Sequence, residues 1–185
     1  MQNSPIINVR LVIPEYIEKL NVLDFSFTVA AALIAPFSDK SIEKIEPINP
    51  PYTKNYGFDN NDIWSYLMAK NQALLIAESI DRESIGYLAI SEHWNNLASI
   101  DDIAVDIDHR GSGVAKSLMD AAVKWAVDLK LAGIRLETQS NNVTACRFYA
   151  RYGFKLEGYD RYLYSALNFQ NNEIVLFWYL IFADT

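Results

Sequence analysis

The sequence predicts a mixed α/β fold of the α+β kind, an antiparallel meander followed by strand, helix, strand, helix with a central parallel strand pair. Three observations predict it. Residues 73–79, residues 85–91 and the run starting at Ser99 are apolar and partly β-branched, and short polar turns at 81–84 and 94–96 separate them. That spacing suits antiparallel strands joined by hairpins. The third run leads into Arg110-Gly111-Ser112-Gly113, after which Val114, Leu118, Ala121, Ala122 and Trp125 recur at the three- and four-residue intervals of a helix. Residues 134–138 form the next strand, and after so long a helix it returns by a crossover, parallel to its predecessor.

Taken in order, residues 6–13 read as an opening strand that Pro14 stops, and a short helix fits 15–20. Residues 25–37 start rich in β-formers, but their alanine run leaves strand and helix in competition. Ile42, Ile45 and Ile48 alternate loosely within 41–48, which reads as a strand. The segment PINPPYTKNYG, 47–57, is expected to be a long loop, stiffened by three prolines and two tyrosines. A helix starts among residues 60–62, whose side chains suit a cap, and continues through Ile63, Tyr66 and Leu67 to Lys70. Beyond the first long helix, Gly133 is expected at its C-cap. A second helix fits 143–152, capped by Asn141 or Asn142, and strands at 153–157 and 173–182 complete the sheet. No repeat or linker divides the chain, so 1–185 reads as a single domain.

Composition narrows the function classes. With 51% hydrophobic and 21% charged residues among 185, the chain has the makings of an ordinary globular core. Its longest apolar segments, 29–37 and 174–182, fall well short of the ~18 residues of a membrane span, and the start MQNSPIINVR has no signal-like apolar region. A cytoplasmic protein without a membrane partner is therefore expected. A net charge of −7 argues against a nucleic-acid ligand and favours a cationic partner. The single cysteine, Cys146, permits no internal disulfide and reads as a small buried hydrophobe. His93 and His109 are not at metal-ligand spacing, so no metal is expected.

The turn between strand and helix carries the chemistry. Two glycines around a serine leave little side-chain bulk over the first turn of the helix, whose free N–H groups and positive dipole end suit a phosphate. Nucleoside triphosphate chemistry lacks its lysine and hydroxyl here, because Val114-Ala115-Lys116 follows the second glycine. A dinucleotide fingerprint would need a third glycine where Lys116 stands.

Arg110-Gly111-Ser112-Gly113-Val114-Ala115 resembles the Arg/Gln-x-x-Gly-x-Gly/Ala signature of the GNAT acyltransferases. Downstream, Asn142-x-x-Ala145-x-x-Phe148-Tyr149-x-x-x-Gly153-Phe154 resembles their second motif at the usual distance. The runs from Ile100 to Asp106 and from Leu136 to Cys146, together with Asp160-Arg161-Tyr162-Leu163-Tyr164, Pro51-Tyr52-Thr53-Lys54, Trp94-Asn95 and Phe177-Trp178-Tyr179, resemble the streptothricin acetyltransferase branch of that superfamily. The resemblance extends from about Phe25 to Tyr179, with Asn96 standing where a glycine is expected.

The resemblance implies a GNAT fold and an acetyl-coenzyme A co-substrate. Its binding would fall to Ile103, Ala104 and Val105 on the strand, to Arg110, Gly111, Ser112, Gly113, Val114, Ala115 and Lys116 at the turn, and to Asn142, Ala145 and Tyr149 of the second motif. Only the amide of Ser112 is expected to matter. Tyr149 would be the general acid, with Tyr164 as a second choice, and the acceptor would be the β-lysyl amine of streptothricin.

An alkyl ammonium with a pKa of ~10.4 must lose a proton before it attacks, so a carboxylate is needed nearby. Asp101, Asp102 and Glu137 are the candidates. Strand alternation puts Asp101 on the face of Ile103 and Val105 and Asp102 on the other, which does not choose between them. Tyr52, Tyr56, Trp94, Tyr164 and Trp178 are candidates for flanking a cationic substrate. Two other readings stay open: an acetyltransferase for another primary amine (lysine, a polyamine, an aminoglycoside or a protein amine), and a non-catalytic acyl-coenzyme A sensor. Monomer and homodimer both fit.

Overall fold

A computed structural model describes residues 7–38, 42–56, 60–164 and 173–182. Ile6, Ser41 and Gly57, and the side chains of residues 60–62 expected as caps, lie outside the described residues. In chain order the elements are β1 (Asn8–Leu11), α1 (Pro14–Leu20), β2 (Phe27–Leu33), β3 (Ile45–Lys54), α2 (Asn60–Met68), β4 (Gln72–Glu78), β5 (Ser84–Glu92), β6 (Ala98–Val105), α3 (Val114–Asp128), β7 (Gly133–Gln139), α4 (Val143–Tyr152), β8 (Lys155–Asp160) and β9 (Val175–Ile181). A 3₁₀ turn, Ile107–His109, stands between β6 and α3. The chain forms two compact units, residues 1–26 with 55–134 and residues 27–54 with 135–185.

In the first unit, β1, β4, β5 and β6 are neighbours in that order and antiparallel throughout, as the meander requires. The stretches 73–77 and 85–90 are so apolar because both faces of these strands are covered. Alternate residues Leu74, Ile76, Tyr87 and Ala89 pack with Ile17 and Leu20 of α1 and Ile63 of α2. The other alternation faces α3, which packs along β1, β4, β5 and β6. Gly86 lies on that side, where a Cβ would come within 2.7 Å of the Ala104 carbonyl oxygen and 3.3 Å of Val114 Cγ1. A side chain there would push α3 away from the strands that carry it.

The expected C-cap of α3 is corrected by one turn of chain. Lys130, at φ 58°, takes the left-handed position, and Leu131 N–H reaches Ala126 O at 3.0 Å while Lys130 N–H reaches Val127 O at 2.9 Å. These are the two bonds of a Schellman ending, made without a glycine. Gly133 instead begins β7.

The second unit holds the β2–β3 ribbon, the neighbouring strands β7, β9 and β8, and α4 packed against β2 and β8. The ambiguous alanine run of 27–33 is a strand. The expected loop at 47–54 is also a strand, with Tyr52 opposite Val29 and Pro47 opposite Ala31. Prolines are tolerated there because, among the described residues, the ribbon has two strands, so a missing N–H can face outward. Pro50 and Pro51 fall where residues 48–51 stand opposite the single residue Ala30 and the ladder is already interrupted.

Candidate active site

The turn ahead of α3 has the geometry of a cradle. Gly111 and Gly113 adopt φ of 76° and 97°, a left-handed conformation that L side chains rarely take. A Cβ on Gly111 would meet nothing within 4 Å, and one on Gly113 only Ile7 Cδ1 at 4.0 Å, so the space over the turn is open. Among the described residues, the amides of residues 111–116 donate to no other backbone carbonyl. They are the free donors of a helix start, reinforced by its dipole, and fit the pyrophosphate of a coenzyme A. Val114 is buried as the helix's anchor, and Lys116 points away into an ion pair with Asp120 at 2.6 Å. Ile103, Ala104 and Val105 are half-buried on β6.

What holds this turn in place is Asp106, the last residue of the run from Ile100 that carries part of the resemblance. Its side chain is buried, and it accepts from Asp108 N–H at 3.1 Å, Asp24 N–H at 3.0 Å and the His109 ring at 2.9 Å. Burial alone would raise its carboxyl, but the bonds from His109 and the amides of Asp24 and Asp108 outweigh that and hold it below the ordinary value. Two further bonds extend the brace: Ser112 Oγ donates to His109 O at 2.6 Å, and Arg110 Nε to Val105 O at 3.0 Å. The Ser112 hydroxyl therefore has a structural task that its amide alone does not explain.

The two aspartates of β6 sit on a β-bulge. Ile100 stands opposite Ile90 and Asp102 opposite Ala89, which leaves Asp101 as the extra residue. The bulge overrides the alternation expected from sequence. Asp101 accepts from the hydroxyl of Tyr66 on α2 at 2.8 Å, and Asp102 from that of Tyr87 on β5. Both phenols belong to the α1/α2 side, so the carboxylates share one face. Loss of hydration raises the Asp102 carboxyl above its ordinary range, with the Asp101 charge adding to the rise, while the Tyr87 hydroxyl and the Ile103 amide pull it down. Tyr87 is raised in turn, by burial first and then by Asp102.

In the second unit, Tyr149 lies on α4, 5% exposed, its ring edge-on to Phe148 and Phe154 and 6.1 Å from that of Trp178. Asn142 caps α4, its Oδ1 accepting from Ala145 N–H at 3.2 Å. The motif's Asn-x-x-Ala spacing is thus first of all an N-cap. Glu137 is exposed on β7 and accepts from the Tyr164 hydroxyl at 3.0 Å. Burial, then the Glu137 charge, raises Tyr164. Tyr52 is partly exposed on β3 and its hydroxyl accepts from Asn141.

Other candidates lie elsewhere. Trp94, 89% exposed, is on the β5–β6 turn, at the far end of β6 from the cradle. Tyr56 is exposed just past β3, and Trp178 is fully buried. Cys146 is buried, which pushes its thiol up to about 12. No described helix is long and apolar enough to cross a membrane.

Comparison with known proteins agrees with this geometry. The model of the acetyltransferase (GNAT) family matches residues 41–154, which include the cradle, the bulge and the capped second helix. A streptothricin acetyltransferase of Escherichia coli is 38% identical over 168 residues, covering 91% of this chain and 92% of its own. Streptothricin acetyltransferase A of Bacillus subtilis is 36% identical over 170 residues, covering 88% and 96%. Among solved structures, a Bacillus anthracis protein described as a streptothricin acetyltransferase, in complex with acetyl coenzyme A, superposes with a TM-score of 0.81 at 35% identity, covering 98% of this chain and 100% of that one. A glycine cradle ahead of α3, a bulged acidic strand leading into it and this breadth of similarity agree on one assignment: the chain belongs to the GNAT acetyltransferase family.

Proposed function

We propose that the chain transfers the acetyl group of acetyl-coenzyme A to the β-lysyl amine of streptothricin, inactivating the antibiotic, and that both units act as one acetyltransferase domain. The observation that carries this reading is the sharing of β6: the strand that ends at the coenzyme cradle also presents two tyrosine-held carboxylates. The choice of acceptor is supported by relatives in Escherichia coli and Bacillus subtilis that bear the name of that substrate and match most of the chain.

In this reading the amides of residues 111–115 hold the pyrophosphate, with Arg110 beside them. Asp102, whose carboxyl is held above its ordinary range, takes the proton of the incoming ammonium, and Asp101 keeps the cation in place. The neutral amine attacks the thioester carbonyl, a C–N bond forms, and the C–S bond breaks. Tyr149 gives its proton to the departing thiolate and is reprotonated, through solvent, by the second proton that the attacking nitrogen loses as the amide forms. The products are an amide and the free thiol of coenzyme A. Glu137 and Tyr164 add negative and aromatic surface for the rest of a polycation.

The reading is tested by measuring thiol release from acetyl-coenzyme A with streptothricin, lysine, spermidine and an aminoglycoside. Streptothricin should give the highest kcat/KM. A higher value for another amine would move the function to that acceptor, and no release with any of them would favour a non-catalytic acyl-coenzyme A sensor.

A further inference from the structure

One polar cluster in the second unit is left over by these roles. Asn141 leads from β7 into α4 and is 6% exposed. Its Nδ2 donates to Glu173 Oε1 at 2.8 Å and to the Tyr52 hydroxyl at 3.0 Å. A carboxylate only accepts, so the contact with Glu173 fixes the amide nitrogen on that side and the oxygen on the other. That oxygen, Asn141 Oδ1, is buried and has no hydrogen-bond partner among the described residues. Leaving a buried acceptor unpaired costs about 1–3 kcal/mol, which a donor carried in by a ligand would recover.

Charge selects the donor. Glu173 pairs with Lys54, and Glu137 brings a second carboxylate, since the Tyr164 hydroxyl feels both Glu137 and Glu173. Two carboxylates against one lysine leave the cluster net negative, so a cationic N–H donor suits it better than a neutral or anionic one. Tyr52 borders the cluster: its hydroxyl accepts from Asn141 Nδ2 and its ring is partly exposed.

We propose that Asn141 Oδ1, with Glu173 and the Tyr52 hydroxyl, forms a subsite for an ammonium group of the acceptor other than the one acetylated. The subsite rests on the reading of the chain as an acetyltransferase for a polycationic amine. It predicts that this enzyme selects acceptors with at least two ammonium groups. The second charge is read by an amide oxygen and a carboxylate rather than by aromatic faces alone.

Steady-state kinetics of Asn141→Ala and Glu173→Gln test it. Asn141→Ala should raise KM for streptothricin about tenfold, the effect of one lost charge-assisted hydrogen bond, and leave kcat and KM for acetyl-coenzyme A within about twofold. Glu173→Gln keeps an acceptor for Asn141 Nδ2 and removes the charge, so KM for streptothricin should rise and depend less on salt; it also keeps the test open if the alanine variant does not fold. Unchanged KM for streptothricin in both variants, or losses shared equally with acetyl-coenzyme A, would overturn the subsite and leave Asn141 as a brace. If the wild-type enzyme does not acetylate streptothricin, it is the proposed acceptor that fails. The subsite is then read by calorimetry with spermidine, where the same weakening is expected in Asn141→Ala and absent or unchanged binding would overturn it.

Discussion

Tyr87 donates its hydroxyl to Asp102 across the β5–β6 hairpin, from a ring that is 1% exposed and packed edge-on against Phe25 at 5.3 Å. The core of the α1/α2 side therefore sets the direction of the phenol, and the phenol sets the carboxylate. Tyr66 does the same for Asp101 from α2. In the proposed reaction, the proton acceptor is tuned by a residue rooted in the hydrophobic core.

The pH profile should report that tuning with opposite signs in two variants. The Tyr87 hydrogen bond lowers the Asp102 carboxyl, so Tyr87→Phe should move the acid limb of kcat/KM to higher pH. The Asp101 charge raises it, so Asp101→Asn should move that limb to lower pH. Shifts of the same sign, or no shift in either variant, would remove Asp102 from the role of base.

Gly113→Ala should raise KM for acetyl-coenzyme A at least tenfold. At φ 97° with open space around it, the cost to the fold is backbone strain of about 1–3 kcal/mol, and the added methyl stands over the amides. Ser112→Ala should show a smaller rise, because the amide remains and only the brace to His109 is lost. Equal, unaltered coenzyme A affinity in both variants by calorimetry would refute the cradle.

Asp106→Asn should destabilise the protein by about 1–3 kcal/mol, since an amide cannot satisfy the donors that the carboxylate now accepts. For a chain of this size that lowers Tm by about 2–12 °C at neutral pH. The folded-state pKa of Asp106 is depressed, so its contribution is present above the ordinary value of 3.8 and is lost as pH falls through the lowered one. The Tm difference between wild type and variant should therefore shrink in acid. A difference that stays constant down to the acid limit would place the loss elsewhere.

Local sequence made much of this legible. The glycine turn, the period of α3 and an asparagine cap at 141 or 142 are patterns within a few residues; each is found, with Asn142 making the cap. The failures are tertiary. A period-2 count along β6 assumes an unbroken ladder, and the bulge at Asp101 is visible only against its partner β5. From sequence Tyr66 enters only as part of a helix and Tyr87 is not singled out, because nothing nearby marks their hydroxyls as partners of residues 35 and 15 positions away. The prolines of 47–51 spell a loop by local rules, and only the two-stranded ribbon makes a strand affordable there. Lys130 ends α3 in a conformation that composition assigns to glycine.

Acetyl transfer to streptothricin is read by mass spectrometry of the antibiotic after incubation with the enzyme and acetyl-coenzyme A. A product heavier by one acetyl group is expected, with fragmentation placing that group on the β-lysyl moiety and free coenzyme A formed in equal amount. Unmodified streptothricin beside intact acetyl-coenzyme A would contradict it.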